Sequence, residues 1–333
     1  MKIEGKKVLV TGGAGFIGSH LVDRLLEADN QVLIVDDFSF GKEENIAHLR
    51  INPNVQIEVS DICNSENMLD IARGVDYIFH LAVFCLRNSI NNPFRSQEVN
   101  ATGTLVMLEA AHKNGVKKFI YTSTGEVYGT GMYFPLDEIH PFLPTNVYGA
   151  AKAAGELYAR SYMNTFGLPI VITRLFNTYG PREQCEGCRA EVIPKFVLRT
   201  LAGKESVIFG TGEQTRDFTY VDDIVRGIML AAENDDAVGE AFNLAHGEDV
   251  SILRILDLVL EKLDRPDLKP AYLKEGRPAD IDKIAADVSK AKRVLGYSAD
   301  IGIEEGLDRY ISWVQEQDLD LECWLEQEKV KNW

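Results

Sequence analysis

Residues 11–18, with the sequence TGGAGFIG, decide the fold of this chain. They follow an apolar run that predicts a strand, and they open a stretch with helical periodicity, so the glycines lie in a strand-to-helix turn. In such a turn Gly12 permits a tight bend, Gly15 lets the backbone approach a pyrophosphate, and Gly18 lets the helix pack against the strand. The N–H groups at the start of the helix attract the same anion. This stretch therefore predicts a dinucleotide-binding unit.

Acidic residues follow at the end of the next predicted strand. Asp36 lies 18 residues after Gly18, at the position where a carboxylate accepts hydrogen bonds from the ribose hydroxyls of an adenosine. An acid there repels a 2′-phosphate, and Asp37 adds to that repulsion, so NAD is favoured over NADP. Asp61 and Ile62, after the third predicted strand, could contact the adenine, although Asp61 could equally cap a helix.

Outward from the turn, the first half of the chain alternates short apolar strands with helical stretches, which predicts a parallel sheet covered on both faces. The predicted strands are Val8–Thr11, Val32–Asp36, Ile57–Val59, Tyr77–His80, Lys118–Thr122, Ile170–Arg174 and, near the end of the sheet, Ala241–Leu244. The predicted helices are Ser19–Ala28, Thr104–Asn114, Asn146–Phe166 and Asp222–Glu233. The alternation breaks after residue 174, and the chain from residue 249 onward is predicted to be mostly helical, which indicates a second, smaller unit.

The composition narrows the class of protein. The chain has 333 residues, 45% hydrophobic and 26% charged, which is typical of a soluble globular protein. The sequence contains no apolar run of roughly 18 residues, so we expect no membrane span. Its start leads directly into a predicted strand, so we expect no signal peptide. Five scattered cysteines predict no disulfide framework, so we expect a cytoplasmic protein. The formal net charge of −16 argues against nucleic acid as a partner, although local arginines and lysines could hold a small anionic substrate.

Tyr148 and Lys152 lie four residues apart in a predicted helix and therefore on the same helix face. A phenol is a poor base at neutral pH, but a nearby ammonium and a positive nicotinamide ring both favour the phenolate. Thr124, at the end of a predicted strand, is the best candidate to hydrogen-bond the reacting alcohol. Glu126 follows it and could remove a proton next to a carbonyl group, or it could be an exposed acid in a loop. This pattern predicts an enzyme that oxidises an alcohol with a nicotinamide cofactor.

Over nearly its whole length the chain resembles an extended short-chain dehydrogenase/reductase of the nucleotide-sugar epimerase/dehydratase family. The motifs that carry the resemblance, in the order of the family, are TGGAGFIGSHL (11–21), VDDFSFGKEENI (35–46), HLAV (80–83), EVNATGT (98–104), STGEVYG (123–129), YGAAK (148–152), RLFNTYGPR (174–182), VIPKF (192–196), GEQTRDFTYVDD (212–223) and GRPAD (276–280).

The resemblance implies an α/β fold: a Rossmann-like, doubly wound parallel sheet with tightly held NAD, and a smaller, mostly helical C-terminal domain that grips the nucleotide diphosphate of a sugar. The NAD-binding domain would comprise residues 1–178 with a return segment near 218–245. The nucleotide-sugar domain would comprise residues 179–217 and 246–333. The family also implies a homodimer, formed here through helices near residues 94–113 and 147–165.

The resemblance further assigns roles to individual residues. Tyr148 would take the proton of the C4 hydroxyl of the sugar while the C4 hydride passes to NAD, assisted by Lys152 and Thr124. The implied cofactor contacts are Gly12, Gly15, Phe16, Ile17, Gly18, Asp36, Asp37, Asp61, Ile62, Leu81, Ala82, Asn100, Tyr148 and Lys152. The implied substrate contacts are Cys85, Arg87, Thr124, Asn177, Val192, Lys195, Phe209 and the diphosphate-binding Arg216 and Arg277.

The residues after Thr124 bear on the reaction that follows oxidation. Relatives resembling 4,6-dehydratases carry Thr-Asp-Glu, in which the Asp protonates the leaving 6-hydroxyl and the Glu takes the C5 proton. This chain has Thr124-Gly125-Glu126, which keeps the C5 base and lacks the acid. Glu126 favours a dehydratase-like enzyme, and the missing acid keeps a 4-epimerase as the alternative, followed by a UDP-glucuronate decarboxylase.

Two other classes of function remain as competing hypotheses. A plain dehydrogenase would release NADH at the end of each reaction. A redox sensor or scaffold would keep the fold without catalysis, but relatives of that kind typically lose the Tyr–Lys pair, which is intact here.

Cysteines and tryptophans outside these motifs leave alternatives open. Cys85 could approach the substrate or be a buried apolar residue without a role. Cys185 and Cys188 form a CxxC without the further ligands that a zinc site needs, so a substrate-covering loop with two incidental thiols is favoured and no metal is predicted. The three tryptophans, at positions 313, 324 and 333, are predicted to dock a terminal helix onto its own domain rather than onto a partner.

Overall fold

The computed structural model of the chain describes residues 2–186, 190–274, 281–328 and 330. The strands are β1 (Lys7–Thr11), β2 (Gln31–Asp36), β3 (Val55–Val59), β4 (Tyr77–His80), β5 (Lys118–Thr124), β6 (Ile170–Leu175), β7 (Thr178–Tyr179), β8 (Val207–Phe209), β9 (Thr215–Arg216), β10 (Thr219–Tyr220), β11 (Ala241–Leu244), β12 (Val250–Ser251) and β13 (Ala271–Leu273). The helices are α1 (Phe16–Glu27), α2 (Ser65–Ile71), α3 (Leu86–Asn91), α4 (Pro93–Gln97), α5 (Thr104–Lys113), α6 (Val147–Phe166), α7 (Val192–Leu201), α8 (Val221–Glu233), α9 (Ile252–Lys262), α10 (Ser289–Leu295), α11 (Ile303–Glu316) and α12 (Leu321–Gln327).

The central sheet is parallel and has the strand order β11-β6-β5-β4-β1-β2-β3. Apolar side chains of α1 and α8 pack on one face, and those of α2, α5 and α6 pack on the other. The prediction of a doubly wound, Rossmann-like sheet is therefore confirmed. The strand order reverses between β1 and β4, and in open α/β sheets ligands bind at the carboxyl ends of the strands on either side of such a reversal.

The second unit is built from α7, α9, α11 and α12 together with short two-stranded ladders, β9 with β12 and β8 with β13, whereas α10 packs on β11 and α8 of the sheet. Beyond residue 249 the chain is mostly helical, as predicted, although β12 and β13 interrupt the helices. Trp313 is partly buried and packs against the hydrophobic core, and Trp324 is 7% exposed, so both dock on their own chain as predicted. Trp333 lies outside the described residues. The assignment of residues 179–217 and 246–333 to a separate substrate domain stays a prediction.

Among the described residues, every helix is too short or too polar to cross a bilayer. The helices predicted to form a dimer expose apolar side chains, including Phe94 (87% exposed) on α4 and Leu157 (56% exposed) on α6. The homodimer itself stays a prediction.

A buried ion pair fixes α6 against the sheet. Arg174 on β6 and Glu156 on α6 are 1% and 0% exposed, and they meet through two hydrogen bonds, Nε to Oε2 at 3.1 Å and Nη2 to Oε1 at 2.5 Å. Arg174 also donates to the hydroxyl of Tyr128 at 2.6 Å. Since α6 carries Tyr148 and Lys152, this pair holds the helix on which the predicted chemistry depends.

Glu156→Ala is expected to lower the free energy of unfolding by about 3–5 kcal/mol, because it leaves the Arg174 guanidinium buried without its carboxylate partner. Urea denaturation followed by circular dichroism measures the change. Glu27→Ala is the control, because Glu27 belongs to an exposed ion pair with Arg24 and its loss should matter little. Equal effects of the two substitutions would contradict the structural role given to the buried pair.

Candidate active site

A cleft of about 810 Å³ opens above the carboxyl ends of β1 and β4 and contains the glycine turn. Gly12 has a positive φ of 70°, and a Cβ on it would lie 2.8 Å from the backbone nitrogen of Ala82. A Cβ on Gly18 would collide with the carbonyl oxygen of Gly12. Gly15, Phe16 and Ile17 line the cleft at the start of α1. The turn thus keeps backbone, without side chains, beside the space where a pyrophosphate would lie, so these residues fit a dinucleotide.

Asp36 lies at the end of β2 and is 7% exposed. Its carboxylate accepts hydrogen bonds from the backbone N–H groups of Ala14 and Phe38, both at 2.9 Å, while burial raises its pKa. A Cβ on Gly41 would lie 2.7 Å from the same carboxylate oxygens, so the 38–42 loop folds closely over this acid. Asp36 and Asp37 both line the cleft, and their contact with the adenosine ribose stays a prediction.

Ile62, Leu81 and Ala82 also line the cleft. The neighbouring Asp61 binds Arg95 instead. The Asp61 carboxylate accepts from Arg95 Nη2 at 2.7 Å and from the N–H of Cys63 at 2.8 Å. The cap of α2 is Asn64, so the alternative that Asp61 caps this helix is wrong. Arg95 itself lines the cleft, which leaves Asp61 to hold that arginine in place.

Asn100 lies in a π-helical turn, Glu98–Gly103, between α4 and α5, and it is 1% exposed. Its carboxamide accepts from the N–H of Phe84 at 2.8 Å and donates to the carbonyl of Phe84 at 2.9 Å. Asn100 therefore positions the 81–87 loop, and its contact with a cofactor stays a prediction.

The predicted catalytic residues meet in the same cleft. Thr124 ends β5, and Tyr148 and Lys152 lie on successive turns of α6. Asn146, which the sequence analysis did not single out, caps α6 by accepting from the N–H of Gly149 at 2.8 Å. Its side-chain nitrogen donates to Glu126 Oε2 at 2.9 Å. One residue therefore fixes both the start of the catalytic helix and the carboxylate, and its position as an Asn at a helix start was the available signal.

Glu126 is half-buried and lines the cleft together with Thr124. The alternative that it is an exposed acid in a loop is therefore wrong. Its neighbour Gly125 packs tightly, since a Cβ there would lie 2.9 Å from the ring of Phe176. Position 125 thus leaves no room for an acidic side chain unless Phe176 moves.

Lys152 is 3% exposed, and burial lowers its pKa to about 7. Its ammonium donates to the carbonyl of Thr122 at 2.6 Å and lies 4.5 Å from the centre of the Tyr121 ring. The Tyr121 hydroxyl in turn donates to the carbonyl of Lys152 at 2.9 Å. These contacts hold the lysine against the end of β5, in the lining of the cleft.

Tyr148 behaves differently from the prediction. Burial raises its pKa, a hydrogen bond with Thr124 opposes the rise, and the carboxylate of Glu126 adds to it. The prediction that neighbouring charge lowers this pKa is therefore wrong for the protein's own groups. The other positive charge in that prediction belongs to the nicotinamide ring, which would lie in the same cleft.

Cys85 and Arg87 line the cleft beside Tyr148. Cys85 is partly exposed, its thiol donates to Asn88 Oδ1 at 3.3 Å, and burial raises its pKa, so both alternatives for its role stay open. Arg87 is 6% exposed and forms an ion pair with Glu191, with Nε and Oε1 3.1 Å apart. This pair crosses the cleft from α3 to the start of α7, a contact that the sequence pattern did not reveal.

The remaining predicted substrate residues lie along the same cleft: Asn177, Val192, Lys195, Phe209 and Arg216. Their binding roles stay predictions. Cys185 is 8% exposed, so it is a buried thiol. Arg277 and Cys188 lie outside the described residues.

The 180–186 loop joins the two units over the cofactor turn. Arg182 pairs with Asp23 of α1 at 2.7 Å, and Gln184 Nε2 donates to the carbonyl of Phe40 at 2.5 Å. Lys42 and Glu186 pair at 2.6 Å. The loop therefore ties α1 and the 38–42 loop together beside the glycine turn.

Known proteins share this arrangement. A family model described as GDP-mannose 4,6 dehydratase matches residues 9–310. UDP-glucose 4-epimerase from Thermotoga maritima, solved with UDP-glucose, is 38% identical with a TM-score of 0.87, covering 93% of this chain and 99% of that one. UDP-glucuronic acid decarboxylase 1 of Arabidopsis thaliana is 36% identical over 92% of this chain and 69% of its own length.

A third relative is a 4,6-dehydratase. DesIV, a dTDP-glucose 4,6-dehydratase from Streptomyces venezuelae solved with NAD, is 30% identical with a TM-score of 0.89, covering 98% of this chain and all of that one. The predicted resemblance is confirmed by the family match and by these relatives together. The chain therefore belongs to the NAD-dependent nucleotide-sugar epimerase/dehydratase family of extended short-chain dehydrogenases/reductases.

Proposed function

We propose that this enzyme oxidises the C4 hydroxyl of a nucleotide-bound hexose and then eliminates water across C5 and C6, as a 4,6-dehydratase does. The single observation that carries this proposal is the position of Glu126, which Asn146 holds inside the cleft beside Tyr148 and Thr124. A base at this point is needed for C5–C6 chemistry, because oxidation at C4 makes the C5 proton acidic. Simple epimerisation at C4 needs no such base.

Tyr148 is the base in the first step, the oxidation at C4. Its phenolate takes the proton of the C4 hydroxyl, and Thr124, which hydrogen-bonds the phenol, also stabilises the oxygen of the substrate. Lys152 supplies a buried amine behind the same site. NAD, held by the glycine turn and Asp36, would supply the acceptor for the C4 hydride. After water has left, the same hydride would return to C6 of the unsaturated 4-keto sugar while a proton from solvent adds at C5, which restores the oxidised cofactor.

Glu126 is the base in the second step, the elimination of water across C5 and C6. The carboxylate takes the C5 proton, and the electrons of the C5–H bond form a C5–C6 double bond as the C6 hydroxyl departs. Since position 125 has no acid and little room for one, we infer that protonated Glu126 passes the same proton to the departing hydroxyl, which leaves as water. The proton that leaves C5 is thus the proton that completes the water molecule.

Contacts beside the glycine turn support a cycle in which NAD stays bound. Arg182, Gln184 and Glu186 tie the 180–186 loop to α1 and to the 38–42 loop. These contacts favour a cofactor that is retained between turnovers over a dehydrogenase with net release of NADH. The Tyr148–Lys152 pair, intact in the cleft, argues equally against a non-catalytic sensor.

A 4-epimerase is the second candidate. It is favoured by Gly125, whose close contact with Phe176 leaves the cleft without the usual acid for the leaving hydroxyl. The UDP-glucose 4-epimerase relative, at 38% identity, supports the same alternative.

Incubation with UDP-, dTDP-, GDP- and CDP-hexoses and with UDP-glucuronate in deuterated water distinguishes these reactions by mass spectrometry and NMR. Loss of water with deuterium at C5 is the expected result. An unlabelled C4 isomer would establish the epimerase instead, and loss of carbon dioxide from the uronate would establish a decarboxylase. Stoichiometric accumulation of NADH with any substrate would overturn the closed cycle.

A further inference from the structure

The C-terminal segment, residues 321–328 with Val330, reaches the substrate cleft although it lies beyond the residues that the family model matches. Its helix α12 packs on α7. Trp324 is 7% exposed, and its indole N–H donates to the carbonyl of Cys185 in the cleft-covering loop. The side chain of Glu328 is 5% exposed and forms an ion pair with Arg199 of α7. Glu328 and Val330 both line the cleft.

The position of α7 shows which part of the cleft the segment reaches. Val192, Lys195, Phe196 and Arg199 all line the cleft, and their spacing places them on one face of the helix. The face begins at Val192, next to the Arg87–Glu191 pair that crosses the cleft near Tyr148. It ends at Arg199, about two helical turns further along α7. There Glu328, the ion-pair partner of Arg199, forms the next part of the cleft lining. The segment therefore lies at the end of the cleft remote from the reacting sugar carbon.

The chemistry of this end suits a nucleoside. Phe209, Ile252 and Val330 supply apolar surface for the flat face of a base. Glu328 would repel an anionic ligand if it were alone, but its ion pair with Arg199 neutralises that charge. The wall is thus apolar and close to electrically neutral, while Arg216 on β9 provides a cation for the phosphates.

We propose that residues 321–328 and Val330 form the outer wall of the nucleotide site and contact the nucleoside of the bound sugar nucleotide. This inference rests on the proposed function, because it assumes a nucleotide-sugar substrate. Trp324 and Glu328 hold the wall in place, the first through the loop at Cys185 and the second through α7. The segment thereby contributes to nucleotide affinity without taking part in the chemistry at C4 or C5.

The experiment measures the affinity of UDP, dTDP, GDP and CDP by calorimetry for the full chain, for a chain ending at residue 318, and for Trp324→Phe and Glu328→Gln. We expect truncation to weaken binding of the preferred diphosphate by about tenfold or more, the loss of roughly 1.4 kcal/mol of binding free energy. The two point variants should weaken it by a smaller factor, because each removes one tether. Glu322→Gln, exposed on the same helix, is the matched control and should leave affinity unchanged.

Bound NAD, measured in each purified variant, reports whether the protein has folded. A truncated protein that retains NAD and binds the diphosphate as tightly as the full chain, or more tightly because the segment blocks the site, would overturn the inference. If truncation abolishes NAD binding, the two point variants decide, and unchanged affinity in both would overturn it equally. A full-length protein that binds none of the four diphosphates would overturn the proposed function instead.

Discussion

Tyr148→Phe is expected to lower turnover by roughly a thousandfold, the range over which a positioned general base acts, while NAD stays bound. The substitution keeps the ring that fills the cleft and removes only the hydroxyl that bonds Thr124 and takes the substrate proton. Steady-state kinetics with the substrate found in the nucleotide-sugar screen measure the loss, and the absorbance of the purified protein measures retained NAD. Deuterium incorporation at C5 should fall with turnover, because C5 becomes acidic only after oxidation at C4.

The pH profile provides a second readout for the same residue. Since a base must be deprotonated to act, the activity of the wild-type enzyme should rise with pH through the pKa of Tyr148, and this rise should be absent in the Phe variant. Burial raises that pKa in the protein alone, whereas a bound nicotinium cation would lower it. Removal of NAD should therefore move the phenol titration upward, which ultraviolet difference spectroscopy can follow.

Tyr158→Phe is the matched control, because Tyr158 lies on the same helix but is 38% exposed. It should retain wild-type turnover and NAD content. If Tyr148→Phe kept more than a tenth of wild-type turnover, the hydroxyl could not be the base, and the proposed first step would be wrong.

Strand prediction succeeded where burial on both faces of the sheet made continuous apolar runs. Tyr77–His80 and Ala241–Leu244 have their predicted bounds. The fifth strand was predicted to end at Thr122 but continues to Thr124, because backbone pairing with β6 extends through its hydroxyl residues. Polar side chains at the end of a strand resemble a loop in sequence, although here they are part of the sheet and line the cleft.

The site was predictable where local motifs determine it and unpredictable where distant segments meet. The glycine turn, Tyr148 and Lys152 follow from short spacings along the chain. The Arg87–Glu191 pair joins residues 104 positions apart, and the contact of Trp324 with Cys185 joins residues 139 positions apart. No local periodicity predicts such pairs. The raised pKa of Tyr148 was missed for a related reason, since burial depends on everything that packs around the phenol.

Glu126→Gln is expected to separate the two halves of the proposed reaction. Gln keeps the size of the side chain and can still accept a hydrogen bond from Asn146, but it cannot remove the C5 proton. Oxidation at C4 should continue, so reduced nicotinamide should accumulate on the enzyme after substrate is added, while dehydration and C5 deuterium incorporation fall by roughly a hundredfold or more. Rapid-scan absorbance and NMR of the product in deuterated water measure the two effects.

Glu213→Gln, an exposed residue of the 210–214 turn, controls for the loss of one negative charge and should behave like the wild type. If Glu126→Gln instead kept full turnover to a C4 isomer without deuterium, the carboxylate would have no part in the chemistry, and the 4-epimerase would replace the dehydratase. If C5 deuterium incorporation is lost while oxidation at C4 continues, the carboxylate is the base for the C5 proton, because Tyr148 handles the proton at C4.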